Sequence, residues 1–167
     1  YGILKHNFKQ SMKEINDTLL DTLAACGDVN RNVMSPANPF ESKLHGQALA
    51  VAQQIHYHLT PQTSAYAEIW LDGEKTTVGE DEIEPIYGKT YLPRKFKIAV
   101  ALPPRNDVDV FSNCLGFVGI AEGEQIVGYN VLVGGGLAMT HGKVATFPRL
   151  ADVIGFCKQE QVVQVAE

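Results

Sequence analysis

The order of patterned segments predicts an α+β fold, a mixed or antiparallel sheet packed with helices. Two helical stripes come first and four strand-like segments follow, the last two joined around Glu122-Gly123-Glu124. Helices and then strands, with few crossovers, argue for segregated layers rather than an alternating βαβ array. The 167 residues, 45% hydrophobic and 20% charged, suit a single domain over 1–167 and exclude a wholly disordered chain or a fibrous repeat.

Leu4, Phe8, Met12, Ile15, Leu19 and Leu23 recur every three or four residues, which predicts a helix over about 3–25 with Gly27 as its stop. Residues 28–33 are short and polar and read as an extended segment or a tight loop. Asn38, Pro39 and Glu41 have the order of an N-cap, a first-turn proline and an N3 acid. A second helix follows, with Leu44, Ala48, Val51, Ile55 and Leu59 on one face and Pro61 closing it. Residues 65–71 predict a strand. Six acids between 72 and 84 face Lys75 alone; they lack an EF-hand spacing and read as a solvated loop. Residues 95–102 predict a strand halted by Pro103-Pro104, and 115–121 with 126–133 predict a hairpin. A helix from about Arg149 and a short C-terminal helix complete the reading.

Charge and cysteines narrow the chemistry. Lys and Arg number 14 against 19 Asp and Glu, a net charge of −5, which disfavours a nucleic-acid-coating role but leaves room for a local anion site. No run of 18 apolar residues marks a membrane span, and no signal-peptide pattern opens the chain. Cys26, Cys114 and Cys157 are odd in number and widely spaced, without a CxxC. That pattern excludes a structural zinc site, cannot supply four thiolates to an iron–sulfur cluster, and suits free thiols in a reducing, cytoplasmic setting. A start at Tyr1 and an end inside a patterned segment read as a piece of something longer.

The strongest local signal is Arg94-Lys95-Phe96-Lys97: from Tyr91 to Arg105 there are four positive charges and no negative one. Side chains alternate on a strand, so Lys95 and Lys97 share a face, about 7 Å apart along the backbone. The same face continues with Ala99 and Ala101, whose small size leaves space for an anion. The competing reading is an exposed polar face on an edge strand. Arg31, between the helices, has the side chain that clamps oxyanions bidentately, or is a surface arginine. Gly134, Gly135 and Gly136 form a glycine-rich loop that could cradle a phosphate, admit a flat cofactor, or simply turn. It is neither a Walker motif nor a dinucleotide fingerprint. His56 and His58 point to different faces of their helix and cannot chelate together.

The segments 27–33, 90–97, 103–109 and 131–137, in this order and together with 65–72, closely resemble the hemoprotein (beta) subunits of sulfite reductase, the sirohaem and [4Fe–4S] branch of the nitrite/sulfite reductases. The resemblance covers essentially the whole chain. It implies one central α+β domain of a larger hemoprotein that carries out assimilatory six-electron reduction of sulfite to sulfide. It further implies electrons from NADPH through a flavoprotein (alpha) partner, or from ferredoxin in other members, with no nucleic-acid or membrane partner. Motif by motif, Arg31 resembles a distal-face arginine, Lys95 and Lys97 the substrate lysines, and Arg94 a contact to a cofactor carboxylate. The glycines 134–136 are implied to approach the macrocycle. The four cluster cysteines of the family are absent here, so the resemblance implies sirohaem and cluster in the full-length protein, neither held by this chain, and a piece inactive alone. A free-standing anion- or nucleotide-binding module and the related nitrite reductases are the alternatives.

Overall fold

The computed structural model describes residues 2–18, 29–63, 70–76 and 83–167, with Arg31, Trp70 and Lys75 described by their backbone. The first apolar stripe forms a 3-10 turn at Lys5–Asn7 and helix α1 (Phe8–Asp17), none of whose residues is buried. The predicted continuation to 25, the Gly27 stop and Cys26 lie outside the described residues. The polar segment between the helices is strand β1 (Asn30–Met34). Helix α2 (Lys43–Leu59) starts four residues later than the Asn38 signature predicts. Asn38 instead closes a turn, its Oδ1 accepting from Phe40 N at 3.1 Å, and Ser42 is the N-cap, accepting from His45 N. The cap falls on Ser42, the residue that leads directly into the helix with the apolar face.

Strands β2 (Trp70–Leu71) and β3 (Glu74–Lys75) form a small antiparallel ribbon. Of the strand predicted at 65–71, only its last two residues are described. The acidic segment is not wholly solvated either: β3 lies in it, and Glu84 is buried. β4 (Phe96–Ala101), β5 (Leu115–Glu122) and β6 (Gln125–Val133) match the predicted strands closely. β7 (Asp152–Lys158) replaces the helix expected from Arg149, and helix α3 (Val162–Ala166) ends the chain. Pairing with β6 decides β7: Cys157 lies opposite Tyr129 and Phe156 opposite Asn130. A Cβ on Gly128 would stand 2.3 Å from the Phe156 ring, so only glycine lets that ring lie across β6.

The main sheet has the order β1-β4-β5-β6-β7; the first three strands run parallel and the last two antiparallel to their neighbours. The expectation of a mixed sheet therefore holds. Alternation sends Ile98, Val100, Leu115, Phe117, Tyr129 and Val131 to one face, where Ala48, Val51, Ile55 and Leu59 of α2 and Val162 of α3 cover them. Gln47 of α2 locks the helix to the hairpin, donating to Glu124 O at 2.9 Å and accepting from Ile126 N at 3.0 Å. The opposite face is covered more thinly. Ala99 and Ala101 lie there under Val108 and Val110, with Met34 and Val118 beside them.

Candidate functional site

Register places the sequence-predicted residues along one end of the sheet. β1 opposes β4 with Asn30 at Phe96 and Val33 at Ile98, so Arg31 and Asn32 together face Lys97 across a bulge. β4 opposes β5 with Ile98 at Leu115, which sets Lys97 level with Cys114. β5 opposes β6 with Leu115 at Val133, and Gly134 N donates to Cys114 O at 3.1 Å. The backbone row is thus Arg31/Asn32, Lys97, Cys114, Gly134. At about 4.8 Å per strand, Lys97 and Gly134 are roughly 10 Å apart and Arg31 and Gly134 roughly 14 Å. Four segments meet at one end of the sheet.

The cations there are available. Arg94 and Lys97 are exposed and Lys95 is half-buried, and none of the three pairs with a described carboxylate. Arg105, the fourth charge of the run, is committed elsewhere, its Nη1 2.7 Å from Glu41 Oε2. Of the Arg31 side chain nothing is described; its backbone holds the place opposite Lys97. β4 lies between β1 and β5, so the reading of an exposed edge strand fails. The reading of Ala99 and Ala101 as room for an anion fails too: they are buried at 0% and 2%, and Val108 and Val110 occupy that space. The exposed Lys97 therefore stands at the strand end, with the strand face beyond it filled.

The three glycines differ. Gly134 has φ +133°, and a Cβ there would stand 3.1 Å from Ala151 Cα; Gly135 has φ +63°, and its Cβ would stand 2.1 Å from Asn113 O. Both are demanded by their own backbone. Gly136 has open space where a Cβ would be, so it alone leaves room for a visitor. From Gly136 the chain makes an exposed excursion, through His141, that returns at Arg149, whose N donates to Gly136 O at 2.7 Å.

One buried group and one half-buried group escaped the sequence reading. Glu84, 1% exposed, accepts from Gln62 N, Thr63 N and Thr63 Oγ1 at 3.1, 3.1 and 2.8 Å. Tyr87 Oη donates to Leu59 O at 2.5 Å and accepts from Asn30 N at 3.1 Å. Burial raises the Tyr87 pKa, the bond from Asn30 opposes that, and the nearby Glu84 charge adds to it. An acid in an acidic run and a tyrosine in a turn carry no pattern that reveals such partners. Cys157 is buried against Tyr129, and burial pushes its thiol pKa up, a packing role rather than that of a reactive thiol. Among the described residues no group of His, Cys, Asp and Glu could hold a metal ion, and no helix is long and apolar enough to cross a membrane.

A family model described as the nitrite and sulphite reductase 4Fe-4S domain matches residues 50–167. Sulfite reductase (NADPH) hemoprotein beta-components of Staphylococcus saprophyticus and Shewanella baltica are 58% and 60% identical to this chain over 168 residues, covering 100% of it and 30% of each relative. The chain thus spans about 30% of the length of these curated relatives. Its fold is similar to that of the Mycobacterium tuberculosis NirA protein, with a TM-score of 0.57 over 95% of this chain and 23% of that one, at 23% identity.

Proposed function

Because the chain belongs to the nitrite and sulphite reductase 4Fe-4S domain family, we propose that it supplies the substrate-holding part of a sulfite reductase hemoprotein. The observation that carries this reading is the row of Arg31, Lys97 and Gly134 across one end of the sheet, with Arg94 and Lys95 beside it and no described carboxylate neutralising the lysines or Arg94. Relatives bearing that name along the whole chain support it.

Arg31, Lys95 and Lys97 bind the sulfite oxyanion and orient it. Fixed cations stabilise negative charge that grows on the substrate oxygens as electrons arrive, at a site that need not reorganise. Lys97 Nζ and Lys95 Nζ hold protons that can pass to a substrate oxygen leaving as water. The donor set fits a carboxylate-bearing macrocycle: the exposed Arg94 guanidinium has no described acid partner, and Gly136 leaves open space. Sirohaem, when bound, supplies an iron that takes the substrate and passes electrons into it. The donor set does not fit a [4Fe–4S] cluster. Three cysteines are one thiolate short, and Cys157 is sealed in the core. The cluster, electron delivery from NADPH through a flavoprotein, and a cytoplasmic location belong to this reading as properties of the longer protein.

The test is Lys97→Met in the full-length protein. Sulfide production falls by roughly 100-fold, the scale on which one positioned charge or proton donor acts, while the Soret band is unchanged. Undiminished turnover ends the assignment. Nitrite, the other oxyanion in the family's description, is assayed in parallel to decide the preferred substrate.

A further inference from the structure

We propose that Tyr87 is a positioning residue for the cation-bearing end of the sheet, its hydroxyl fixing the start of the strand that carries Arg31. The inference rests on the oxyanion-binding reading above for its consequence, though not for its geometry.

Among the described residues β1 is the outer strand, so one row of its backbone groups has no described neighbouring strand. Val29 O turns inward and accepts from Phe96 N at 3.2 Å. A trans peptide points the next N–H, that of Asn30, the opposite way, to the open edge. There the Tyr87 hydroxyl accepts it at 3.1 Å and donates onward to Leu59 O, a carbonyl of the last turn of α2. One hydroxyl therefore joins the end of α2 to the residue before Arg31.

Tyr87 is itself held from two sides. Its ring lies 6.1 Å from that of Tyr91 at 19°, and Tyr91 N donates to Tyr87 O at 3.2 Å. Tyr91 begins the run that reaches Lys95 four residues later. Beneath the turn, the Glu84 carboxylate binds the backbone of Gln62 and Thr63, and Gly88 N donates to Glu84 O at 2.8 Å. The end of α2, the turn at 84–91 and the start of β1 thus form one unit around the phenol. Without the hydroxyl, the Asn30 N–H loses this acceptor, and the Cα that carries the Arg31 side chain gains freedom against Lys97. Sub-ångström freedom at a group that holds a substrate is enough to weaken it measurably.

The experiment compares Tyr87→Phe, which keeps the ring and its stack, with Tyr57→Phe, an exposed phenol on α2, in the full-length protein. Two quantities are read: amide hydrogen exchange over 30–33, and the sulfite KM and kcat. For Tyr87→Phe, exchange at Asn30 rises roughly tenfold or more while the β5–β6 hairpin is unchanged. The sulfite KM rises roughly tenfold with a smaller change in kcat and an unchanged Soret band. Tyr57→Phe changes neither quantity. Unchanged exchange overturns the inference, and raised exchange with an unchanged KM overturns it as well, leaving a purely structural tyrosine. If the wild-type protein does not reduce sulfite, the functional reading fails instead. Exchange at Asn30 then decides alone whether Tyr87 fixes this strand.

Discussion

Gly135 and Gly136 are neighbours, yet a methyl group on each should have opposite consequences. A Cβ on Gly135 would stand 2.1 Å from Asn113 O and 2.5 Å from Asn113 N, on a φ of +63°. The left-handed conformation alone costs a non-glycine residue about 1–2 kcal/mol. Relieving the overlap means moving the backbone of Asn113, which is pinned because its buried Nδ2 donates to Val108 O and Asp109 O at 3.2 and 2.9 Å. Overpacking of that kind adds about 1–3 kcal/mol, so Gly135→Ala loses about 2–5 kcal/mol. Gly136 meets nothing within 4 Å, and alanine there shifts stability by under about 0.5 kcal/mol. Urea unfolding of the chain reads both. At an m-value of about 2 kcal/mol/M, Gly135→Ala lowers the midpoint by roughly 1–2.5 M, and Gly136→Ala leaves it in place. Equal midpoints for the two variants would refute the reasoning. In the full-length protein Gly136→Ala, though stable, lowers haem retained per chain if Gly136 faces the macrocycle; unchanged retention removes it from the site.

Other consequences are open to the same kind of test. Glu84→Ala removes the carboxylate that accepts from three donors at Gln62 and Thr63 and costs about 2–4 kcal/mol in urea unfolding, whereas a loss under about 0.5 kcal/mol would show the carboxylate to be dispensable. Burial, with a smaller contribution from Cys157, pushes the Tyr129 pKa up to about 12 from 10.0. Because the folded value is the higher one, Tyr129 contributes its full stability below pH 10 and loses it as pH climbs through 12. The unfolding midpoint therefore falls across pH 10–12, and Tyr129→Phe flattens that fall; identical profiles for the two proteins would contradict it. At neutral pH Tyr129→Phe is neutral or stabilising by up to about 1 kcal/mol, since its buried hydroxyl has no partner among the described residues; a loss above that would reveal a bond.

What could be read in the sequence follows from which signals are local. The β5–β6 hairpin was legible because alternation and the Glu122–Glu124 turn agree with the tertiary pairing. The β4 strand was legible for the same reason, but its surroundings were not: only the fold shows that Val108 and Val110 fill the space beside Ala99 and Ala101. β7 was misread because Val153, Ile154 and Phe156 are all exposed, so the segment has no one-sided burial to produce a period of two. At the site, charge was legible in Arg94, Lys95 and Lys97, and their company was not. That Arg31 stands opposite Lys97, and that Gly134 lies two strands away, follows from register, which no local pattern encodes. Glu84 and Tyr87 were invisible because their partners lie 21 and 57 residues away.

The central claim is that the cations at this end of the sheet hold the substrate oxyanion. Its most direct test is a sulfite titration of the full-length protein, followed by the shift in its haem absorbance, for wild type, Lys95→Met, Lys97→Met and the remote control Lys43→Met. The predicted result is a dissociation constant raised about tenfold or more by each of the first two substitutions, as expected for loss of a charge-assisted contact, and unchanged by the third. Dissociation constants equal across all four proteins would contradict the claim.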